Sequence, residues 1–204
     1  MLPGNVLSTS LIFGDFLSPD NLPLSPEYSY QLGGVGIQNP TLGLQYQTWL
    51  AKLYNQNLAS SYITLQAPNT PEFTYYSYPY ISSISLAFDQ NMFPFLAYTS
   101  ATGAFFYWYD TTQLTYKNTP LPLGTSSVSC TFDDKRRLNT ESGTTDIIVA
   151  YINNLNLYFR QERDRYTIEY FLAGPLAMYN PVIAKVGMCT TDRLLFQVNA
   201  DLYG

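Results

Sequence analysis

The stretch Ile84-Ser85-Leu86-Ala87-Phe88-Asp89 is written again 44 residues later as Val128-Ser129-Cys130-Thr131-Phe132-Asp133. The segments downstream of each copy recur too. Phe95-Leu96-Ala97-Tyr98 returns as Ile147-Ile148-Val149-Ala150-Tyr151, and residues 104–109 return as Leu155-Asn156-Leu157-Tyr158-Phe159-Arg160, with Tyr98 and Tyr151 now 53 residues apart. Self-similarity at a fixed period constrains a chain strongly, because each copy is one supersecondary unit that buries its apolar face only by stacking on its neighbours. The change of offset falls in the charged stretch 134–146, and insertions between repeats normally fall in loops.

Each unit reads as strands. The chain holds 19 Tyr and 12 Phe, and aromatic and β-branched side chains suit a pleated, half-buried surface. Short apolar runs alternate with turn residues such as Ser100–Gly103 and Asp110-Thr111-Thr112, the pattern of an antiparallel meander. Leu114-Thr115-Tyr116 is the expected fourth strand of one unit and residues 166–172 that of the next. Weaker copies flank these two. Residues 182–186 and 194–198 look like the two middle strands of a later unit, and residues 44–50 and 62–65 like the third and fourth strands of an earlier one. A period of about 45–50 residues, with four strands per unit and about four units, predicts a small all-β propeller. A β-sandwich is the alternative, since four imperfect units also stack as two sheets.

Some stretches fit less simply. Leu42, Tyr46, Trp49, Leu50 and Leu53 also sit at helical spacing, although strand is the favoured assignment. Residues 67–80 carry Pro68, Pro71 and Pro79 and predict an extended connector. The last unit lacks a fourth strand at Gly204, and Leu11-Ile12-Phe13-Gly14-Asp15-Phe16 is a candidate to complete it. Residues 1–30 are therefore expected to be either an arm that docks on another subunit or a ring-closing strand, with 31–204 a single all-β repeat domain. No basic leader with an apolar run opens the chain. The uncharged stretches 28–51 and 90–109 are interrupted by turn formers, so no membrane span is expected.

The side-chain inventory narrows the chemistry. There is no His, which excludes a Ser-His-Asp triad, a Cys-His dyad and a His-ligated metal. Two cysteines, Cys130 and Cys189, match no metal spacing and are too few for a disulfide scaffold. Leu32-Gly33-Gly34-Val35-Gly36 lacks the strand–loop–helix context of a phosphate loop. No cofactor is expected. A net charge of −5 argues against a phosphate-gripping surface and against sequence-specific nucleic-acid binding.

Three groups of residues remain. Asp89 and Asp133 end equivalent strands, so they read as turn residues accepting backbone N–H bonds. A carboxylate pair for glycoside chemistry would belong to one site and would not recur with the fold. The densest polar constellation joins Asp133-Asp134-Lys135-Arg136-Arg137 to Arg160, Glu162, Arg163, Asp164, Arg165 and Glu169. It reads as a self-neutralising face or a protein interface, with Arg136, Arg137, Arg160, Arg163 and Arg165 as the contact residues. The ring-rich run 105–109 should place one ring set in the core and the other at the surface, and Cys130 should be a small buried hydrophobe.

The phrases Ser85-Leu86-Ala87-Phe88-Asp89-Gln90-Asn91, Phe132-Asp133-Asp134-Lys135-Arg136 and residues 147–151 followed by Leu157-Tyr158-Phe159-Arg160-Gln161-Glu162-Arg163-Asp164-Arg165 resemble a family of virion structural proteins of tailed bacteriophages. The resemblance spans about residues 40–200. It implies a non-catalytic component of the neck or tail, made in the host cytoplasm and carried in the virion. It also implies contacts to other virion proteins, including fibres, and several copies in a ring or collar. A carbohydrate-binding propeller is one alternative. A glycoside hydrolase built on Asp134 and Glu162 is another.

Overall fold

The computed structural model describes residues 29–38, 47–57, 60–67, 69–89, 91, 93–133, 146–188 and 194–200. The candidate strand 11–16, residues 1–28 of the expected arm 1–30, Arg136, Arg137, Asp134 and Cys189 lie outside the described residues.

The protein is all-β. Four antiparallel sheets follow one another in chain order. The first holds β1 (Ser29–Gln38), β2 (Gln47–Asn57), β3 (Ser60–Gln66) and β4 (Phe73–Tyr78). The second holds β5 (Ile81–Phe88), β6 (Pro94–Ser100), β7 (Gly103–Asp110) and β8 (Thr115–Pro120). The third holds β9 (Thr125–Asp133), β10 (Asp146–Asn153), β11 (Asn156–Gln161) and β12 (Tyr170–Ala173). The fourth holds β13 (Pro181–Met188) and β14 (Leu194–Ala200). In the four-stranded sheets each strand pairs with its predecessor, as hairpin connections dictate. Among the described residues no helix is long and apolar enough to cross a membrane.

The repeat holds at the level of register. Ile84 pairs with Tyr98, which pairs with Phe105. Val128 pairs with Tyr151, which pairs with Tyr158. Phe88 lies across from Pro94, and Phe132 across from Ile147. The two units thus correspond strand for strand, with the offsets legible in the sequence. Because side chains alternate with period two, a slip of one residue would turn every apolar group to the wrong face.

Two cores result. Ala51, Leu53, Ile63 and Leu65 of the first sheet close on Ile84, Leu86, Phe88, Leu96 and Tyr98 of the second. The other face of the second sheet, through Ala87, Phe95, Ala97, Phe106 and Trp108, closes on Val128, Cys130, Ile147, Val149 and Tyr151 of the third. The middle strands are therefore covered on both faces. β10 is buried from Asp146 through Ile152, which explains why Ile147-Ile148-Val149-Ala150 is a continuous apolar run with no alternation. First strands stack on first strands: β1 on β5, β5 on β9, β9 on β13. Serines bind across these joints. The Cys130 N–H donates to Ser85 Oγ (3.1 Å) and the Ile183 N–H to Ser127 Oγ (3.1 Å).

Several expectations need correction. The stretches near 44–50 and 62–65 belong to second and third strands, because β1 precedes them. The proline-rich connector contains β4, set between Pro71 and Pro79; as an outer strand it tolerates flanking residues that cannot donate to a ladder. In the third sheet the fourth strand begins only at Tyr170, since residues 162–164 form a 3-10 turn. By its stacking on β9, β13 is a first strand, not a middle one. The favoured strand assignment for 42–54 holds over the described residues from Gln47 onward, where Ala51 and Leu53 of β2 face inward.

Candidate functional site

The polar residues gather at one end of the second and third sheets, where β5, β7, β9 and β11 finish and β10 begins. The segment 161–169 organises them. After β11 the chain makes the 3-10 turn Glu162–Asp164, then Arg165 (φ +52°) and Tyr166 (φ +59°) both take left-handed backbone. Two successive non-glycine residues in that region are uncommon and persist only where surroundings hold them. Here the surroundings are the second sheet. Tyr166 is 3% exposed and its ring lies 5.5 Å from Phe95, 4.9 Å from Phe106 and 4.9 Å from Trp108. The Arg165 guanidinium donates to Asp110 Oδ2 (2.5 Å) and Thr112 Oγ1 (2.8 Å). A loop of the third sheet thus clasps the second.

Asp110 sits on the inward side of β7, after Ala104, Phe106 and Trp108 in strict alternation. Its carboxylate is covered by its own partners: Lys117 Nζ at 2.6 Å, Arg165, and the N–H groups of Thr112 and Gln113. The Lys117 bond above all holds its pKa below the ordinary carboxylate range. Asp146, the first residue of β10, receives the Arg163 backbone N–H (2.9 Å) and its Nε (2.5 Å). This contact ties the start of β10 to the turn after β11.

Asp89 Oδ1 accepts the N–H groups of Asn91 and Phe93, each at 2.8 Å, which closes the turn between β5 and β6. Burial nonetheless lifts its carboxyl above the usual range, against those two N–H groups. Asp133 closes the equivalent strand with its backbone paired to Asp146. Glu162 is the most perturbed acid. Burial, with the charges of Asp89 and Asp146 adding, pushes it up to about 7, although its Oε2 accepts the Ile147 N–H (3.1 Å). A carboxyl titrating there can give or take a proton near neutrality. Among the described residues no group of three or more His, Cys, Asp and Glu side chains could hold a metal.

Arg160 lies one strand turn away. Its guanidinium donates to the Tyr151 hydroxyl (3.3 Å), the Tyr166 carbonyl (3.4 Å) and Glu169 (3.4 Å), and Tyr151 also donates to Glu169. Of the five arginines expected at an interface, the three described ones are all bound within the chain. Arg163 and Arg165 keep 40% and 45% of their side chains exposed. Cys130 is buried, its thiol pushed up to about 12 by burial. Of the run 105–109, Phe106 and Trp108 enter the core, and Phe105 and Tyr107 fill the gap toward β4, where Tyr107 stacks on Tyr76 at 4.2 Å. The set expected at the surface is thus largely enclosed by the first sheet.

The sequence reading missed Asp110, Asp146 and Tyr166. Asp110 had a signal, since the alternation Ala104, Phe106, Trp108 carries it to the buried face. Tyr166 had none, because its inward path depends on the backbone of Arg165.

No family model, no curated protein and no solved structure matches the chain.

Proposed function

We propose that the chain is a non-catalytic structural component of a tailed-phage virion, in the neck or tail, whose four sheets are blades of a small propeller and which assembles through contacts with its own copies and other virion proteins. The virion assignment rests on the resemblance of the sequence. The propeller form is supported by the stacking of first strands in chain order.

The observation that carries the assembly role is apolar surface on the third sheet. Phe171 is 60% exposed, Ile168 48%, Leu155 46% and Tyr179 72%, and Leu123 stands 92% exposed in the turn that Asn153 ties to the same sheet. Exposed large apolar side chains fit a contact surface, where aromatics dominate interface energetics. The described arginines, Arg160, Arg163 and Arg165, are bonded within the chain and form the rim of such a contact. The test replaces Phe171 with Asp. The variant should fold, keep its unfolding midpoint and fail to enter particles; normal incorporation would sink this surface as the assembly face.

Glu162 favours a second reading, a glycoside hydrolase in which it serves as general acid, because such acids carry raised pKa values. Its measurement is release of reducing ends from bacterial surface polysaccharide, abolished by Glu162→Gln. No release from the unmodified protein removes that reading.

A further inference from the structure

The two ends of the third sheet differ in charge. The candidate site gathers its charged residues at one end. The other end is built from three turns: 121–125 between β8 and β9, 154–155 between β10 and β11, and 174–180 between β12 and β13. The sequence around them is uncharged from 118 to 132, from 147 to 159 and from 170 to 184. Hydrogen bonds tie the three turns into one platform. The Thr125 N–H donates to the Pro122 carbonyl (3.2 Å) and closes a turn in which Gly124 takes φ +87°, as a type II turn requires at that place. The Asn153 side-chain amide donates to the Leu123 carbonyl (2.9 Å) and to Thr125 Oγ1 (3.4 Å). The Leu176 N–H donates to the Leu155 carbonyl (2.7 Å). These amides and carbonyls are spent on one another, while the side chains of Leu123, Leu155 and Tyr179 stand exposed. Fold stability explains neither leucine. Leu123 buries almost nothing. Leu155 takes φ +62° after Asn154 at +48°, in a two-residue hairpin loop where glycine is the unstrained choice. A bulky residue kept in left-handed backbone and half in water points to a demand from outside the chain.

We propose that a second copy of this chain meets the platform end to end, with Leu123 and Leu155 at the centre of the contact. Charge selects the occupant. The chain carries a net charge of −5, and net charge of one sign keeps copies apart. Among the described residues the platform is uncharged, so two identical platforms approach without opposed like charges. Homodimer interfaces are also more apolar than contacts between different proteins, and interface cores are depleted of charge. A two-fold axis through the platform presents the same patch from both sides and closes the assembly at two copies, so each leucine counts twice. The turns are already fixed by their own hydrogen bonds, which lowers the ordering cost of association. This pairing rests on the assembly reading above and narrows it to one occupant.

Sedimentation equilibrium of the full chain tests it. A reversible dimer should form, with affinity steady or rising between about 0.05 M and 0.5 M salt, because screening relieves the net repulsion and no ion pair is lost. Leu123→Lys should weaken the dimer about 100-fold. Leu114→Lys, in the exposed turn at the opposite end of the second sheet, should leave it unchanged. Leu155→Gly should weaken the dimer about 10-fold and yet raise the unfolding midpoint of the diluted monomer, since glycine accepts the left-handed backbone without strain. That variant decides the matter should Leu123→Lys fail to fold. A chain that stays monomeric at millimolar concentration overturns the pairing, as does a dimer that weakens with salt or is indifferent to both leucine substitutions. A chain that pairs through Leu123 but enters no particle upholds the pairing and removes the assembly role. A chain that never pairs but enters particles overturns the pairing and leaves that role standing.

Discussion

Tyr98 and Tyr151 occupy one slot in two successive sheets. Both are second-strand residues facing the preceding sheet, and both are 0% exposed. Their hydroxyls end differently. Tyr98 donates to Asn118 (2.8 Å) and shares a hydrogen bond with Tyr76 (3.1 Å), under the rings of Tyr76, Tyr78 and Phe105. Tyr151 meets Glu169 and Arg160, whose guanidinium also lies over its ring. Burial raises both phenols well above their ordinary range. The repeat thus fixes the ring and its depth, while the outlet for the buried hydroxyl is set by whatever lies beside that sheet. A buried hydroxyl left without a partner costs about 1–3 kcal/mol, so some outlet is obligatory.

The largest effects test whether the slots are equivalent. Tyr98→Ala and Tyr151→Ala should each lower unfolding free energy by about 3–5 kcal/mol in urea titrations, since each empties a fully buried ring site. A loss below about 1 kcal/mol at either would break the equivalence.

The third sheet's ionic surroundings should then separate it from the second by pH. The folded pKa of Glu162, about 7, stands above its ordinary 4.5. The folded form binds the extra proton, so this contribution is complete below about pH 4.5 and is lost as pH rises through 7. Glu162→Gln keeps an acceptor for the Ile147 N–H and removes the penalty. It should therefore be more stable than the parent at pH 8, by roughly 3 kcal/mol, and equal to it at about pH 4. A constant difference across that range would show that Glu162 titrates normally.

Smaller still are the hydroxyl deletions. Tyr98→Phe leaves Asn118 and Tyr76 to re-pair, and Tyr151→Phe leaves Arg160 on Glu169, so each should cost about 1 kcal/mol. Only Tyr151→Phe should become costlier or cheaper with salt, because only its outlet is charged. The smallest loss is expected for Arg165→Met, whose guanidinium is half in solvent and whose pairing with Asp110 salt should screen. Asp110 itself works on the acid side: its lowered pKa means stability present above about pH 4 and lost as pH falls further. Asp110→Asn should flatten that acid limb.

The legible part of this fold was the part that repeats. Val128 and Ile84, or Tyr151 and Tyr98, announce each other because the same slot makes the same demand twice. β1 and β4 were missed for the converse reason. Their demands are met by contacts outside the strand, as when Tyr75, Tyr76 and Tyr78 of β4 lie on β7 and Tyr98, and no second copy of Phe73–Tyr78 exists to compare. At the candidate site the charged residues were found by density, but their pairing was not. Asp110 and Arg165 are 55 residues apart, and only the left-handed step at Arg165 brings them together.

That step has a mechanical consequence. With Tyr166 lodged among Phe95, Phe106 and Trp108, the second sheet cannot lose its packing without undocking a loop that belongs to the third. Pulled or heated, these two sheets should yield together as one cooperative block. The β13–β14 ribbon has no such bolt among the described residues. Slow amides should therefore share a single opening rate across β6 and β10, and the molecule should behave as a rigid pair of plates with a looser leaf at its C-terminal side.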